Sequence, residues 1–262
     1  AQYGAVMIDE GHDFKAEWLK VVAQMVDPST NSLLVLFDDA QSIYATNTKR
    51  KFSFSSVGIQ AKGRTTILRL NYRNTSEVLS VAYKFARDFI TPADAEEDGV
   101  PLVRPDSAGR RGPLPVLNQL ANLTKEGDFI AQEFTAVNKE GWPWREMAVV
   151  YRTRFIGEEI TKRLRAARIP IQWLGETNGK RSFDPREDSV KVMTMHSSKG
   201  LEFPIVAIPG LGYMPYQGQD VREEAKLLYV AMTRAMEMLL LTCHRETEFV
   251  KRLKTARVDA PN

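Results

Sequence analysis

Short apolar runs alternate with helical patterns along the first part of the chain, and polar turns separate them. Residues 5–8 and 33–37 are continuous apolar runs, whereas residues 15–26 place apolar side chains at helical spacing. The polar segment 27–31 supplies the break before the second run. Buried strands that are separated by helices are typical of a parallel sheet covered on both faces. This stretch therefore predicts a β-α-β unit.

The same alternation predicts the rest of the chain. Helices are predicted at residues 76–89, 129–137, 156–167 and 223–236, and strands at residues 67–70, 147–151, 190–194, 205–208 and 238–242. Residues 91–115 are rich in proline, glycine and charge, which predicts a long surface loop. The predicted fold class is α/β with a doubly wound parallel sheet, and a boundary is expected near residues 46–66.

Composition adds little to this picture and excludes a few classes of protein. The 262 residues include 36 Lys and Arg against 33 Asp and Glu, a net charge of +3 that permits a local nucleic-acid-binding patch without requiring one. Cys243 is the single cysteine, so an intramolecular disulfide is excluded and a reducing compartment is favoured. No apolar stretch is long enough to cross a membrane and no signal peptide precedes Tyr3, so we expect a cytoplasmic protein without a membrane partner.

Two adjacent carboxylates, Asp9 and Glu10, directly follow the first predicted strand. Nucleotide-hydrolysing sites use this arrangement to hold Mg²⁺ and to orient an attacking water. Only eight residues precede Asp9, which leaves no room for the strand–GxxxxGK[ST]–helix segment that cradles phosphates. We therefore expect the chain to be part of a longer protein and to begin in the middle of an active site.

Two further polar clusters follow predicted strands, where ligands bind in open α/β sheets. In residues 37–44, Gln41 could hydrogen-bond a terminal phosphate or water, and Tyr44 offers a stacking face for a base. The alternative is a polar turn that caps a helix. In residues 70–75, Arg73 could form a forked contact with a phosphate, or it could be a surface residue beside a helix N-cap.

The last two clusters lie near the C-terminus. Residues 192–203 follow a predicted strand and supply hydroxyl, imidazole and amine donors that could contact a phosphate backbone, with a polar hairpin as the alternative. Glu202 in this cluster could accept a hydrogen bond from a ribose hydroxyl. Residues 223–235 predict an amphipathic helix ending in Arg234, which could reach a γ-phosphate from a neighbouring domain, or its charges could form a solvated face.

Taken in order, the five clusters resemble motifs II to VI of the UvrD/Rep-like superfamily 1 DNA helicases. The resemblance is most specific in residues 199–203 and 229–235. It implies a RecA-like fold, in which residues 1–46 are the C-terminal remnant of a first RecA-like domain. Residues 47–262 would then form the second RecA-like domain, with a loop or insertion around residues 91–189.

The resemblance also implies a site for ATP and Mg²⁺. Asp9 would bind the metal ion, Glu10 would be the general base, Gln41 would sense the γ-phosphate, and Asp38 would support the metal region as part of the nucleotide site. Three later side chains would contact the nucleotide: Arg73 at the γ-phosphate, Glu202 at the sugar, and Arg234 as an arginine finger. Lys199 and Gly200 would complete the nucleotide-binding set.

Single-stranded DNA is the implied partner, together with the missing N-terminal part of the same protein. Tyr44 would lie near the DNA, and His196 and Ser197 would touch its track or couple it to ATP. The chain departs from the family pattern where His12 replaces a glutamine, Phe37 replaces a glycine, and no Trp or Arg follows Tyr44. These departures motivate an alternative, a non-catalytic nucleic-acid-binding or regulatory module with a helicase-like fold. An RNA-directed motor shares the same nucleotide chemistry and is a further alternative.

Overall fold

The computed structural model describes residues 2–37, 53–66, 70–89, 106–107, 109–174 and 183–258. The chain divides into two compact units, residues 1–69 with 88–104 and residues 70–87 with 105–262. The predicted division at residue 46 falls in a stretch outside the described residues, and it stays a prediction. Across the described ranges, no helix is both long enough and apolar enough to cross a membrane.

The first unit contains a small parallel sheet covered by one helix. Strand β1 (Val6–Ile8) pairs with strand β2 (Leu33–Val35), and helix α1 (Ala16–Ala23) connects them. Side chains alternate between the two faces of a strand. Ile8 is accordingly buried in a cluster with the helix residue Leu19, whereas the neighbouring Met7 is 78% exposed. The predicted β-α-β unit is therefore present, with β2 ending at Val35 rather than at residue 37.

The second unit is built on a six-stranded parallel sheet. Strand β3 (Leu70–Asn71) and strand β4 (Asp106–Ser107) pair with each other and precede this sheet in the chain. The strands of the large sheet are β5 (Val116–Gln119), β6 (Met147–Tyr151), β7 (Ile171–Trp173), β8 (Val190–Thr194), β9 (Phe203–Ile208) and β10 (Ala235–Cys243). Their spatial order is β5-β10-β9-β6-β8-β7, and every pairing is parallel.

Helices cover both faces of this sheet. They are α2 (Ser76–Ala86), α3 (Leu123–Lys139), α4 (Arg154–Ala166), α5 (Val221–Met232) and α6 (Glu248–Val258). Helices α3 and α4 pack against each other over one set of alternating strand residues, and α2 packs against α5 and α6. All five residues of β6 are buried, as expected for a strand covered from both sides. The predicted α/β class with a doubly wound parallel sheet is confirmed.

Several predicted elements differ from the structure in their bounds, and two further examples are the helix at residues 223–236 and the loop at residues 91–115. The helix predicted at residues 223–236 ends at Met232, and the last two of those residues already belong to β10. Pairing with β9 explains the change, because Phe203 N–H donates to the Arg234 carbonyl and Ala235 lies opposite Phe203. The predicted loop at residues 91–115 contains the short strand β4.

Candidate functional site

A rigid turn presents Arg73 between β3 and α2. The Asn71 side-chain oxygen accepts hydrogen bonds from the backbone N–H groups of Arg73 and Asn74, both at 2.9 Å. Thr75 then caps α2 by accepting from the Val78 N–H. The Arg73 side chain is 66% exposed, and its Nη1 lies 3.1 Å from Oε1 of Glu202. Two residues predicted to contact the nucleotide are therefore neighbours although they are far apart in the sequence.

Arg234 lies beside the same pair, but its side chain is buried. It is 4% exposed; Nε donates to the Val230 carbonyl at 3.0 Å and Nη1 donates to the Leu201 carbonyl at 3.3 Å. Leu201 directly precedes Glu202, and the first residues of β9 and β10 lie opposite each other in the sheet. The structure thus brings Arg73, Glu202 and Arg234 together at the amino ends of these two strands.

Residues 195–202 connect the carboxyl end of β8 to the amino end of β9. Because these strands are parallel and β6 lies between them, the segment runs back along the length of the sheet. Its turn includes Lys199, whose N–H donates to the His196 carbonyl, and Gly200, whose φ of +76° favours glycine. His196 therefore lies near the carboxyl ends of the strands, whereas Glu202 lies at their amino ends.

His196 lies next to a buried ion pair that the sequence analysis did not identify. Arg152, directly after β6, donates from Nε and Nη2 to the Glu224 carboxylate at 2.9 Å and 2.7 Å. Glu224 is 3% exposed and also accepts from the Tyr216 N–H at 3.1 Å. Burial lowers the pKa of His196, the positive charge of Arg152 lowers this pKa further, and Glu224 opposes the shift. His196 is consequently neutral at pH 7.

Exposed aromatic side chains and the partly buried Arg152 lie at this carboxyl end. Phe155 and Tyr216 are 43% and 41% exposed, and the Arg152 guanidinium lies 5.6 Å from the centre of the Tyr216 ring. Ser197 is exposed, and its N–H donates to Oγ1 of Thr194 at 3.0 Å. Aromatic faces with nearby cations suit single-stranded nucleic acid. The signal that could have found Arg152 was its position directly after a predicted strand.

Asp9 and Glu10 follow β1 in the first unit. Asp9 is exposed and its Oδ1 accepts from the Glu10 N–H at 2.9 Å, while Glu10 has a left-handed backbone with φ of +52°. The next position has room only for glycine, because a Cβ added to Gly11 would lie 2.7 Å from the Val35 side chain. Glu10 is thus held in a conformation that is uncommon for residues other than glycine and that recurs at functional sites.

The carboxylate of Asp9 fits a Mg²⁺ ion of the kind that nucleotides bring. Such an ion is bound through one or two carboxylates together with substrate phosphates, rather than by a cage of protein ligands. The described part of the chain contains no group of three or more His, Cys, Asp or Glu side chains that could hold a metal ion. The predicted site residues Asp38, Gln41 and Tyr44 lie outside the described residues.

A model of a known protein family matches a segment in the C-terminal third of the chain. Residues 174–246 match the UvrD-like helicase C-terminal domain, a segment that includes His196, Glu202 and Arg234. DNA helicase II from Escherichia coli K12 is 46% identical over 71 residues, which cover 24% of this chain and 10% of that protein. ATP-dependent DNA helicase PcrA from Staphylococcus aureus Mu50 is 45% identical over 65 residues, covering 21% of this chain and 9% of that protein.

These alignments span about a tenth of the length of the curated relatives. Among solved structures, the C-terminal domain of a possible DNA helicase from Lactobacillus plantarum WCFS1 is similar over a much larger part of the chain. The similarity covers 70% of this chain and 94% of that one, with a TM-score of 0.50 and 21% sequence identity. At this identity the likeness shows the fold.

Proposed function

Because residues 174–246 match the UvrD-like helicase C-terminal domain, we propose that this chain is part of an ATP-dependent DNA helicase or translocase. Its role is to couple ATP hydrolysis to movement on single-stranded DNA. In this proposal residues 1–46 are the end of a first RecA-like domain, and residues 47–262 are the second.

One observation carries this proposal: three side chains suited to a nucleotide meet at one end of the sheet. Arg73 and Glu202 lie 3.1 Å apart, and Arg234 bonds to the residue before Glu202. A guanidinium can form forked contacts with phosphate oxygens, and a carboxylate can accept from a ribose hydroxyl. Arg73 would therefore contact the γ-phosphate, Glu202 the sugar, and Arg234 would act as the arginine finger, with Lys199 and Gly200 forming the adjoining turn.

The first unit would supply the hydrolytic side of the reaction. Asp9, supported by Asp38, would bind Mg²⁺, which neutralises charge on the phosphates when it is present. Glu10 would accept the proton from the attacking water, and Gln41 would sense the γ-phosphate.

DNA would bind near the carboxyl ends of the strands, where His196 and Ser197 lie with exposed aromatic side chains and the partly buried Arg152. Tyr44 would add a stacking face for a base. Residues 195–202 join His196 directly to Glu202, so a change in the nucleotide contacts would be transmitted along this short segment to the DNA. Alternating grip of the two RecA-like domains would then give stepwise movement.

The test is ATP hydrolysis with and without single-stranded DNA. The sequence contains no GxxxxGK[ST] segment, so we expect these 262 residues alone to hydrolyse little ATP. Activity should appear when the chain is expressed with the upstream segment that supplies this motif, and Arg234→Ala should lower kcat by about 10³-fold or more. Strong hydrolysis by the 262 residues alone would contradict the proposed division of the active site.

A second candidate is a non-catalytic nucleic-acid-binding or regulatory module. The departures that favour it are His12, Phe37 and Thr46, which stand where the helicase pattern has a glutamine, a glycine and a tryptophan. If the upstream coding sequence lacks strand–GxxxxGK[ST]–helix, this candidate is favoured. Nucleotide-dependent binding to DNA and RNA strands of equal length distinguishes a DNA motor from an RNA motor.

A further inference from the structure

A short segment with two arginines, residues 109–112, crosses the turn that presents Arg73. We call it the arginine segment. The carbonyl of Arg110 accepts from the backbone N–H of Ser76 at 2.8 Å, and Nη1 of Arg110 donates to the Arg73 carbonyl at 2.6 Å. Arg110 also forms an ion pair with Glu237 on β10. One side chain thus connects the Arg73 turn to the strand that begins directly after Arg234.

The arginine segment fits closely in this position. An added Cβ on Gly112 would lie 2.6 Å from the Thr75 side chain and 3.2 Å from the Glu237 carbonyl. The Gly112 N–H donates to the Glu77 carboxylate at 2.9 Å. Burial raises the pKa of Glu77, but hydrogen bonds from Gly112 and Ser76 and the charge of Arg111 outweigh burial and lower it. The hydrogen bond from the Gly112 backbone to Glu77, which does not involve the Arg111 side chain, keeps the segment in place.

Asn74 makes a second connection from inside the same turn. It is 2% exposed, and its side-chain nitrogen donates to the carbonyls of Thr233 and Ala235 at 2.9 Å and 2.6 Å. These two residues flank Arg234. The Thr75 N–H, next to Asn74, donates to the Met236 carbonyl at 3.0 Å.

We propose that Arg110 and Asn74 are positioning residues that fix Arg73 relative to Arg234. Two guanidinium groups that act on one phosphate must be held at a defined separation, because a misplacement of about 1 Å can cost about 10²-fold in rate. Asn74 fixes the separation from the buried side and Arg110 from the outer side. This inference rests on the proposed function, since it assigns both arginines to the same nucleotide.

The experiment uses the protein that contains this chain together with its phosphate-loop segment. Arg110→Ala is compared with Arg111→Ala, a matched control in the same segment. Arg111 pairs with Glu77 at 2.6 Å, its side chain is 60% exposed, and it is not one of the proposed nucleotide contacts. The readouts are kcat and KM for ATP, and the ratio of affinities for AMP-PNP and ADP in the presence of Mg²⁺.

If Arg110 positions Arg73, its removal should weaken the contacts to the γ-phosphate and leave the other nucleotide contacts unchanged. We expect Arg110→Ala to lower kcat and the preference for AMP-PNP over ADP by about tenfold or more, with ADP affinity within about twofold of wild type. Arg111→Ala should leave the preference within about twofold of wild type. Glu237→Gln should reproduce the Arg110→Ala effect, and the double variant should be no worse than either single variant.

The outcomes separate this inference from the proposed function. An active wild-type protein whose Arg110→Ala variant keeps its kcat and its AMP-PNP preference would overturn the inference alone. Equal weakening of AMP-PNP and ADP would also overturn it, because that result indicates a general loss of structure. A wild-type protein without ATP hydrolysis would overturn the proposed function and the inference together.

Discussion

At the scale of single residues, the candidate site depends on charged groups that are held by specific partners. Glu224 is 3% exposed, and its oxygens accept hydrogen bonds from Arg152 and from the Tyr216 N–H. A sequence pattern predicts that a helix face is polar, but it cannot predict that one glutamate on that face is buried against an arginine 72 residues away. This is why Arg152 and Glu224 were missed.

Removing Glu224 should destabilise the fold much more than removing an exposed glutamate. Glu224→Ala leaves Arg152 without its partner in a largely buried position, and we expect a loss of about 3 kcal/mol in the free energy of unfolding. The matched control is Glu158→Ala, whose pair with Arg154 is about half exposed on both sides. That variant should lose less than about 0.5 kcal/mol. Urea denaturation measures both values, and equal losses would contradict the assignment.

Protonation of His196 should weaken the fold under mildly acidic conditions. Because burial and Arg152 lower its folded pKa below the unfolded value of 6.5, the folded state favours the neutral ring. This contribution to stability is present above pH 6.5 and is lost as the pH falls through the folded pKa. Comparing the free energy of unfolding of wild type and His196→Gln between pH 7 and pH 5 isolates the effect. An equal pH dependence in both proteins would contradict it.

At the scale of elements, the sequence predicted best those strands that are buried on both faces. Strands β6 and β8 have the predicted bounds: β6 is a continuous apolar run, and β8 is mostly apolar with one buried lysine, Lys191. Strand β5 and strand β7 were missed because each is a short edge strand with polar residues. Helix α6 was missed because its charged residues mask a narrow apolar face that includes Phe249 and Leu253.

The packing of α4 on β6 depends on the absence of a side chain at Gly157. An added Cβ would lie 2.5 Å from the Tyr151 ring, and Tyr151 is fixed by a 2.8 Å hydrogen bond from Trp173. Gly157→Ala should therefore lower the unfolding free energy by about 1–3 kcal/mol, although alanine by itself favours a helix by about 1 kcal/mol. Thermal unfolding measures the change. A stabilised variant would show that α4 and β6 are not packed this closely.

At the scale of the whole molecule, the sequence indicated which residues to consider for the candidate site, but it did not indicate which of them lie together. Polar residues after apolar strands indicated Arg73, His196 and Glu202, because ligands bind where strands of α/β sheets end, whereas the end of an amphipathic helix indicated Arg234. The strand order β5-β10-β9-β6-β8-β7 determines which of these residues lie together. A local sequence pattern does not predict this order. The order puts Arg73, Glu202 and Arg234 at the amino ends of β9 and β10, and His196 near the carboxyl end of β8.

The central claim is that residues 195–202 couple a nucleotide end of the sheet to a DNA end. The most direct test is the stimulation of ATP hydrolysis by single-stranded DNA, measured for wild type and His196→Ala in the protein that includes the phosphate-loop segment. We predict that His196→Ala lowers the DNA-stimulated kcat by about tenfold, which corresponds to about 1.4 kcal/mol, with KM for ATP within about twofold of wild type. Unchanged stimulation by DNA in His196→Ala would contradict the account.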